Sequence, residues 1–400
     1  MNTSSPRRAP DEQQQQRVVI EKLVAGGEGM GRLESGQVVF VPDVVSGETV
    51  DVVVTDSKKD FARAELVAVI EPAQTRCSPP CGFVEDGCGG CNWQHIDPAA
   101  QLRAKSDIVV EAFARTARLD VEIHRRKALP DTARRTTVRM AANESGMLGF
   151  RARHSHDIVE VDSCVVAHDA IQQFLHSPFL ETSGEVTLRV GARTGDIGVW
   201  CHEGRIREGV ASMAKRGERA SVREIVADNE YRVSMGSFFQ SSPEAAELLI
   251  TTLCTDFDGF GIEGGTLLDA YGGVGLFSKA FAQRFDELIL VESNISACRD
   301  AVHNLEDCAA TIYEMAFEHW QPTDVDVVIA DPARDGLGKN GLAKLLEIDA
   351  PVIALVSCDA VAGARDVQRL VTGGYSLDRV SVLDLFPHTH HVEVVSILTK

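Results

Sequence analysis

The sequence predicts three domains in series: a small β barrel, a central α+β domain bearing a cysteine cluster, and a doubly wound α/β domain at the carboxyl end. Three observations carry this reading. Between Arg17 and Glu71 the runs RVVIEKLV, QVVFVPDVV, GETVDVVVTD and FARAELVAVIEP are separated by Gly, Pro, Asp and Ser about every ten residues, which suits a small antiparallel barrel. Four of the ten cysteines, Cys77, Cys81, Cys88 and Cys91, fall within fifteen positions. From about Gly236 the apolar strands TLLDA, ELILVES, VDVVIADP, APVIALVS and VEVVSIL alternate with helical segments, the pattern of a largely parallel sheet.

Composition narrows the classes. A chain of 400 residues is long enough for two to three domains. Its net charge of −19 argues against a plain electrostatic nucleic-acid binder. The acid is unevenly spread: Gln240 to Lys400 holds ten Lys or Arg against twenty-five Asp or Glu, while Gln101 to Arg153 holds twelve against six. The barrel has six against ten, so bulk charge would not hold RNA there. No run approaches the roughly 18 apolar residues of a spanning helix, and MNTSSPRRAPDEQQQQ lacks the apolar core of a signal peptide. A soluble, cytoplasmic protein is expected. Ten cysteines are too few for a disulfide scaffold, and a reducing compartment would not keep disulfides.

Along the chain, residues 1–16 are expected to be a disordered tail. The barrel spans 17–72, the central domain 73–235 and the α/β domain 236–400. In the central domain Asp97 is a candidate N-cap with Pro98 at the first helical position. HRRKALPDTARRTTVRM, LGFRARHSHDIVEVDSCVVAHDA and TLRVGARTGDIGVWC are expected to form an antiparallel sheet, completed by residues 170–230.

In LLDAYGGVGLFSKAF a strand ends at Asp269 and Ala270, a loop holds Gly272, Gly273 and Gly275, and a helix begins near Leu276. Such glycines let the backbone turn sharply and approach a ligand. About twenty residues on, ELILVE ends in Glu292, where an acidic side chain accepts hydrogen bonds from ribose hydroxyls. The loop lacks the Gly-Lys-Ser/Thr of a phosphate loop and the six-residue dinucleotide spacing. An adenosine without phosphates fits better, which points to S-adenosylmethionine. Another strand ends in Asp331-Pro332, at the same sheet edge.

APVIALVS runs into Ser357, Cys358 and Asp359, presenting Cys358 at a strand end on the cofactor side. A buried cysteine is often only a small hydrophobe, but polar neighbours favour a reactive thiol here. Glu393 lies in the last strand, after His388, His390 and His391; those histidines adjoin no acid or cysteine at ligand spacing, so a solvated or structural role is expected.

DPARDGLG, VSCDA, HVEVVSIL, GSFFQSSPEAAELL and a barrel containing GEGMGR and FVPDVVSGETV resemble, in combination, the RNA uracil-5-methyltransferases with a TRAM domain. The resemblance covers nearly the whole chain except residues 1–16 and about 170–230. It implies an OB-like TRAM barrel, a central RNA-binding domain with an iron-sulfur site and a Rossmann-like class I methyltransferase domain. It further implies Cys358 as the nucleophile that adds to uracil carbon 6, Glu393 as the base that removes the carbon 5 proton, and a cofactor site lined by Gln240, Tyr271, Gly273, Gly275, Glu292 and Asp331. A free cysteine titrates near pH 8.5, so the surroundings of Cys358 are expected to lower its pKa.

Cys81, Cys88 and Cys91 have six and then two residues between them, spacing that suits one metal centre, with zinc the plainest occupant. The resemblance implies instead a [4Fe-4S] cluster, with Cys164 as the distant ligand and Cys77 left spare. Arg125, Arg126, Lys127, Arg134, Arg135 and Arg139 are candidate contacts to the RNA backbone, or else a solvated strand face. The expected substrate is 23S rRNA. A transfer RNA substrate is the alternative within enzymes, and a non-catalytic RNA-binding or ribosome-assembly protein the alternative outside them. A monomer is expected.

Overall fold

A computed structural model describes residues 15–131, 135–153 and 155–400. The first unit is a closed barrel of β1 (Gln16–Leu23), β2 (Gly29–Arg32), β3 (Val38–Val41), β4 (Thr49–Ser57) and β5 (Phe61–Glu71). Alternate residues point inward, so Val18, Ile20, Val39, Val41, Val50, Val52, Ala62 and Ala64 form its core. It is not wholly antiparallel, because β3 and β5 pair in parallel to close it. Glu48 is wholly buried and accepts from the Arg76 guanidinium through both oxygens, at 2.5 and 2.8 Å, tying the barrel to the segment that leads to the cysteines.

α1 (Pro98–Ala112) begins as its sequence predicts, with the Asp97 carboxylate accepting from the N–H groups of Ala99 and Ala100. The next strand, β6 (Ile123–Ala128), departs from expectation. It leaves the central sheet and becomes the outermost strand of the carboxyl-terminal sheet, parallel to its neighbour. Its sequence IHRRKA buries only Ile123 fully, and charges suit the edge of any sheet, so local pattern could not decide which.

The central sheet has six strands, built on β7 (Thr137–Ala142), β8 (Leu148–Arg151), β9 (Ile158–Glu160), β10 (Gly184–Val190), β11 (Ile197–Glu203) and β12 (Lys215–Arg216), in the order β12-β11-β10-β7-β8-β9. The one-turn α2 (Asp169–Gln172) packs against β10. Residues 170–230 complete this sheet only in part, because β13 (Ser221–Val226) and β14 (Asn229–Ser234) form a separate hairpin.

The carboxyl-terminal unit contains α3 (Pro243–Phe260), β15 (Thr266–Asp269), α4 (Leu276–Ala280), β16 (Glu287–Glu292), α5 (Ile295–Asn304), β17 (Ala310–Glu314), β18 (Val327–Ala330), α6 (Gly338–Ile348), β19 (Val352–Ser357), α7 (Ala360–Thr372), β20 (Ser376–Asp384) and β21 (Glu393–Thr399). Its eight strands run β17-β16-β15-β18-β19-β21-β20-β6, with β21 antiparallel to both neighbours. β18, β19 and β21 are buried along almost their whole length, as expected where helices cover both faces. The chain order reverses about β15, and strands in such sheets hold ligands at their carboxyl ends. No helix among the described residues is long and apolar enough to cross a membrane.

Candidate active site

The glycine loop after β15 is held by side chains on either side of it. Gly273 and Gly275 have φ of +54° and +87°, conformations that favour glycine, and a Cβ on Gly272 would lie 2.3 Å from the Leu290 side chain. At the end of β16, Glu292 accepts the N–H of Gly273 at 2.9 Å and that of Asn294 at 2.6 Å, one through each oxygen. A carboxylate retains further lone pairs for ribose hydroxyls. Under the loop Asp269 is fully buried, accepting from the Ser278 N–H and hydroxyl through one oxygen while the other has no partner among the described residues. Burial pushes its pKa up to about 6.

Asp331 follows β18 and accepts from the Gln240 side-chain amide at 3.3 Å. Burial, together with the neighbouring charge of Asp269, pushes it up to about 7. The nucleophile and base candidates meet through strand register. β19 and β21 pair with Ser357 opposite Val394, so the next step of the antiparallel ladder sets Cys358 against Glu393. The two residues are thirty-five apart in sequence and adjacent in the sheet.

The electrostatics of Cys358 correct the sequence expectation. Burial first, then the charges of Glu393 and Asp331, push its thiol up to about 11, against a smaller lowering by Arg334. Glu393 is buried, with one oxygen lacking a hydrogen-bond partner among the described residues, and burial next to Asp331 raises it well above the usual carboxylate range. The protein's own groups thus favour the uncharged forms of both residues. Arg334 reaches the His391 ring at 2.5 Å; burial and neighbouring cations push that histidine down to about 3, so it is neutral at physiological pH.

One cavity of about 590 Å³ joins these groups. Gln240, Tyr271, Gly273, Glu292, Asp331, Cys358 and Glu393 all line it; Gly275 does not, and instead caps α4. Sequence reasoning missed Phe238, Phe239, Asn294, Arg334 and Phe386, which also form its wall. Phe238 is 72% exposed while lining this cavity. Its signal lay in plain view in the GSFFQSS segment that supplied Gln240.

The cysteines form a second cavity, of about 40 Å³, in the central domain. Cys81, Cys88, Cys91 and Cys164 line it together with Phe83, Val138, Phe150 and Val161. Cys77 is not part of that lining and donates to the Gln94 carbonyl at 3.4 Å. Burial pushes Cys91 up to about 11 and raises Cys88 and Cys164. Among the described residues no three His, Cys, Asp or Glu groups converge where one metal ion could sit. The four cysteines share the lining of this one cavity.

The basic residues separate. Arg125 is a correction: only 18% of its side chain is exposed, and its guanidinium bonds to the wholly buried Asp256 at 3.2 Å, with Arg379 on the same carboxylate at 3.1 Å. It anchors β6 to α3 and is committed inside the protein. Arg126 and Lys127 are exposed on β6. Arg135 stacks over the Phe386 ring at 5.8 Å and lines the cysteine cavity. Arg139 is exposed and paired with Glu185 at 2.6 Å; Arg134 lies outside the described residues. His388 is buried and His390 half-buried, and their backbone N–H groups donate to the side chains of Gln101 and Asn92.

Known proteins resemble the chain in sequence and in fold. The TRAM domain family matches residues 12–67. An uncharacterized RNA methyltransferase of Streptomyces coelicolor is 32% identical over 95% of this chain and 92% of its own. The 23S rRNA (uracil(1939)-C(5))-methyltransferase of Chromohalobacter salexigens is 30% identical over 95% and 88%. The crystal structure of Pyrococcus abyssi tRNA (uracil-54, C5)-methyltransferase with S-adenosyl-L-homocysteine superposes with a TM-score of 0.71, at 25% identity, over 96% of this chain and 99% of that one. With a TRAM barrel at one end and relatives of this kind matching along nearly its whole length, the chain is a member of the TRAM-domain-containing RNA (uracil-5-)-methyltransferase family.

Proposed function

We propose that the protein methylates carbon 5 of a specific uridine in 23S rRNA, using S-adenosylmethionine and a covalent adduct between Cys358 and uracil carbon 6. The observation that carries this is the juxtaposition of Cys358 and Glu393 across β19 and β21, in a cavity that also holds Gln240, Glu292 and Asp331. The cavity has the size of a drug-sized ligand site, and Glu292 offers acceptor capacity at the end of the second strand, so the residues suit an adenosine.

Uracil carbon 5 is too electron-poor to attack a methyl group unaided. Cys358, once deprotonated, adds to carbon 6; the S–C bond forms and the electron pair moves toward carbon 5 and oxygen 4. When bound, S-adenosylmethionine would supply the electrophilic methyl: carbon 5 would gain the C–CH3 bond as the S–CH3 bond breaks, with S-adenosylhomocysteine as the leaving group. Glu393, as the carboxylate, then takes the carbon 5 proton, and the S–C bond breaks to restore the double bond and release Cys358. Asp331 and Gln240 line the same space and orient what enters it. A cation entering a cavity with Asp331, Glu393 and Cys358 favours the anionic forms of all three. Nucleophile activation would then follow occupancy by the sulfonium.

Cys81, Cys88, Cys91 and Cys164 would hold a [4Fe-4S] cluster. What supports the reading is that all four cysteines line one small cavity, and cysteine thiolates are the usual ligands of such clusters. A cluster there would supply a cross-link, because neither addition nor methyl transfer moves an electron to or from the chain. Arg126, Lys127 and Arg139 remain as exposed candidates for RNA contact, and we read the protein as a cytoplasmic monomer. Mapping 5-methyluridine in rRNA and tRNA from a strain lacking the gene tests the reading. Loss at one 23S uridine supports it; loss in tRNA alone selects the second substrate, favoured by the Pyrococcus likeness; no loss overturns the enzymatic role.

A further inference from the structure

The loop between β20 and β21, which leads into Glu393, is gripped by the segment that carries Cys91. His388 sits in the left-handed region with φ +67°, which is uncommon for residues other than glycine although His adopts it more readily than most. There its carbonyl accepts the N–H of Asn92 at 3.1 Å and of Trp93 at 2.9 Å, while its own N–H donates to the Gln101 side-chain oxygen at 2.8 Å. The Asn92 side chain completes the grip. Its Oδ1 accepts the His390 N–H at 3.1 Å, and its Nδ2 lies 2.7 Å from the His390 ring Nδ1. A side-chain amide carries an acceptor and a donor on separate atoms, which suits these two contacts to one residue.

The anchoring is rigid on both sides. Trp93 is wholly buried and donates to the carbonyl of Gly27 in the barrel at 3.0 Å. The wholly buried Lys105 donates to Asp384 at 2.6 Å and to the Phe386 carbonyl at 3.2 Å, which secures the start of the same loop. A Cβ on Gly27 would lie 2.7 Å from His390, so the barrel turn presses on the clamp as well. Beyond His390 the chain passes His391, bonded to Arg334 in the cavity wall, and then reaches Glu393. Asn92 itself is the residue after Cys91, whose side chain lines the thiol cavity and whose carbonyl accepts from Arg153 at 3.2 Å.

We propose that Asn92 is a positioning residue for methyl transfer: by holding His388 and His390 it sets where Glu393 and Arg334 stand, and it makes the thiol-lined cavity the foundation of the catalytic loop. The inference rests on the assignment of Glu393 as the base. A misplacement near 1 Å of a reacting group costs roughly a hundredfold in rate, so the effect belongs in turnover.

The test is steady-state methylation by full-length Asn92→Ala and Asn92→Asp, with S-adenosylhomocysteine affinity, RNA KM and iron content measured on the same preparations and Glu393→Gln as reference. Asn92→Ala is expected to lower kcat by roughly tenfold to a hundredfold, with the other three quantities within about twofold of wild type. Asn92→Asp is nearly isosteric and keeps the acceptor for the His390 N–H, so it should fold and fall between the two. The covalent RNA–Cys358 complex should accumulate in both variants as proton removal slows. Wild-type kcat in both variants with a slow Glu393→Gln overturns the positioning role. So does a parallel loss of kcat, cofactor affinity and iron, which would mark general structural damage. A Glu393→Gln enzyme as fast as wild type would instead remove the base assignment.

Discussion

The two thiol-lined cavities are built by different means. The catalytic cavity gathers residues from the carboxyl ends of β15, β16, β18 and β19 and the start of β21, with others from the segment before α3 and the loop after β20, so sheet register sets much of it. The cysteine cavity is assembled from a loop at Cys81 to Cys91 and a turn at Cys164, in a shell of Phe and Val side chains. Their electrostatics differ too. Cys358 is pushed up by carboxylates as well as burial, Cys91 by burial with only small contributions from its fellow thiols. Both sites therefore disfavour a bare thiolate, and the occupants proposed for them, a sulfonium in one and a metal cluster in the other, are both cationic.

The sharpest way to break that comparison is to remove the thiol from each. Cys358→Ala is expected to lower methyl transfer at least about a thousandfold, with S-adenosylhomocysteine affinity by calorimetry within twofold of wild type. Retained turnover would mean that carbon 5 is activated without covalent addition. Cys164→Ser prepared anaerobically should hold less than about half the iron of wild type and unfold at lower urea, whereas Cys358→Ala should keep its full complement. An unchanged iron content in Cys164→Ser would dismiss the four-thiol site.

The protonation states give a third, smaller test. Only the thiolate is alkylated. With Cys358 pushed up to about 11, its modification by iodoacetamide, followed by peptide mass spectrometry, should still climb with pH above 9, where an ordinary thiol levels off. Added S-adenosylmethionine should move this profile to lower pH, because a positive ligand favours the anion; neutral S-adenosylhomocysteine should move it less. Equal shifts would show that the sulfonium charge is not what activates the thiol.

The smallest effect concerns the basic stretch. Arg125→Ala leaves the buried Asp256 with Arg379 alone and should cost about 1–3 kcal/mol in urea unfolding, without weakening RNA binding. Arg139 is 65% exposed at its side chain, so Arg139→Ala should change stability by less than about 0.5 kcal/mol and act, if anywhere, on RNA affinity. The reverse pattern would return Arg125 to the RNA surface.

Much of the catalytic site was legible in the one-dimensional chain. A strand, a glycine loop and a helix within fifteen residues form a local unit, as do a strand ending in Asp331 and another ending at Cys358, because sheet patterning and turn chemistry act over a few neighbours. What that pattern leaves open is everything that depends on which distant surface a segment meets. β6 reads as a charged edge strand but not as the edge of a particular sheet; Arg125 reads as a free cation until Asp256 closes on it. Cys358 was expected to have a lowered pKa, yet desolvation and two carboxylates raise it, since local sequence does not reveal depth or facing charge. His388 and His390 looked idle because their partner, Asn92, lies almost three hundred residues away. The amino-acid order thus determined the elements and their chemistry, whereas tertiary packing alone decided partners, burial and protonation, because those energies arise between groups that the chain keeps far apart.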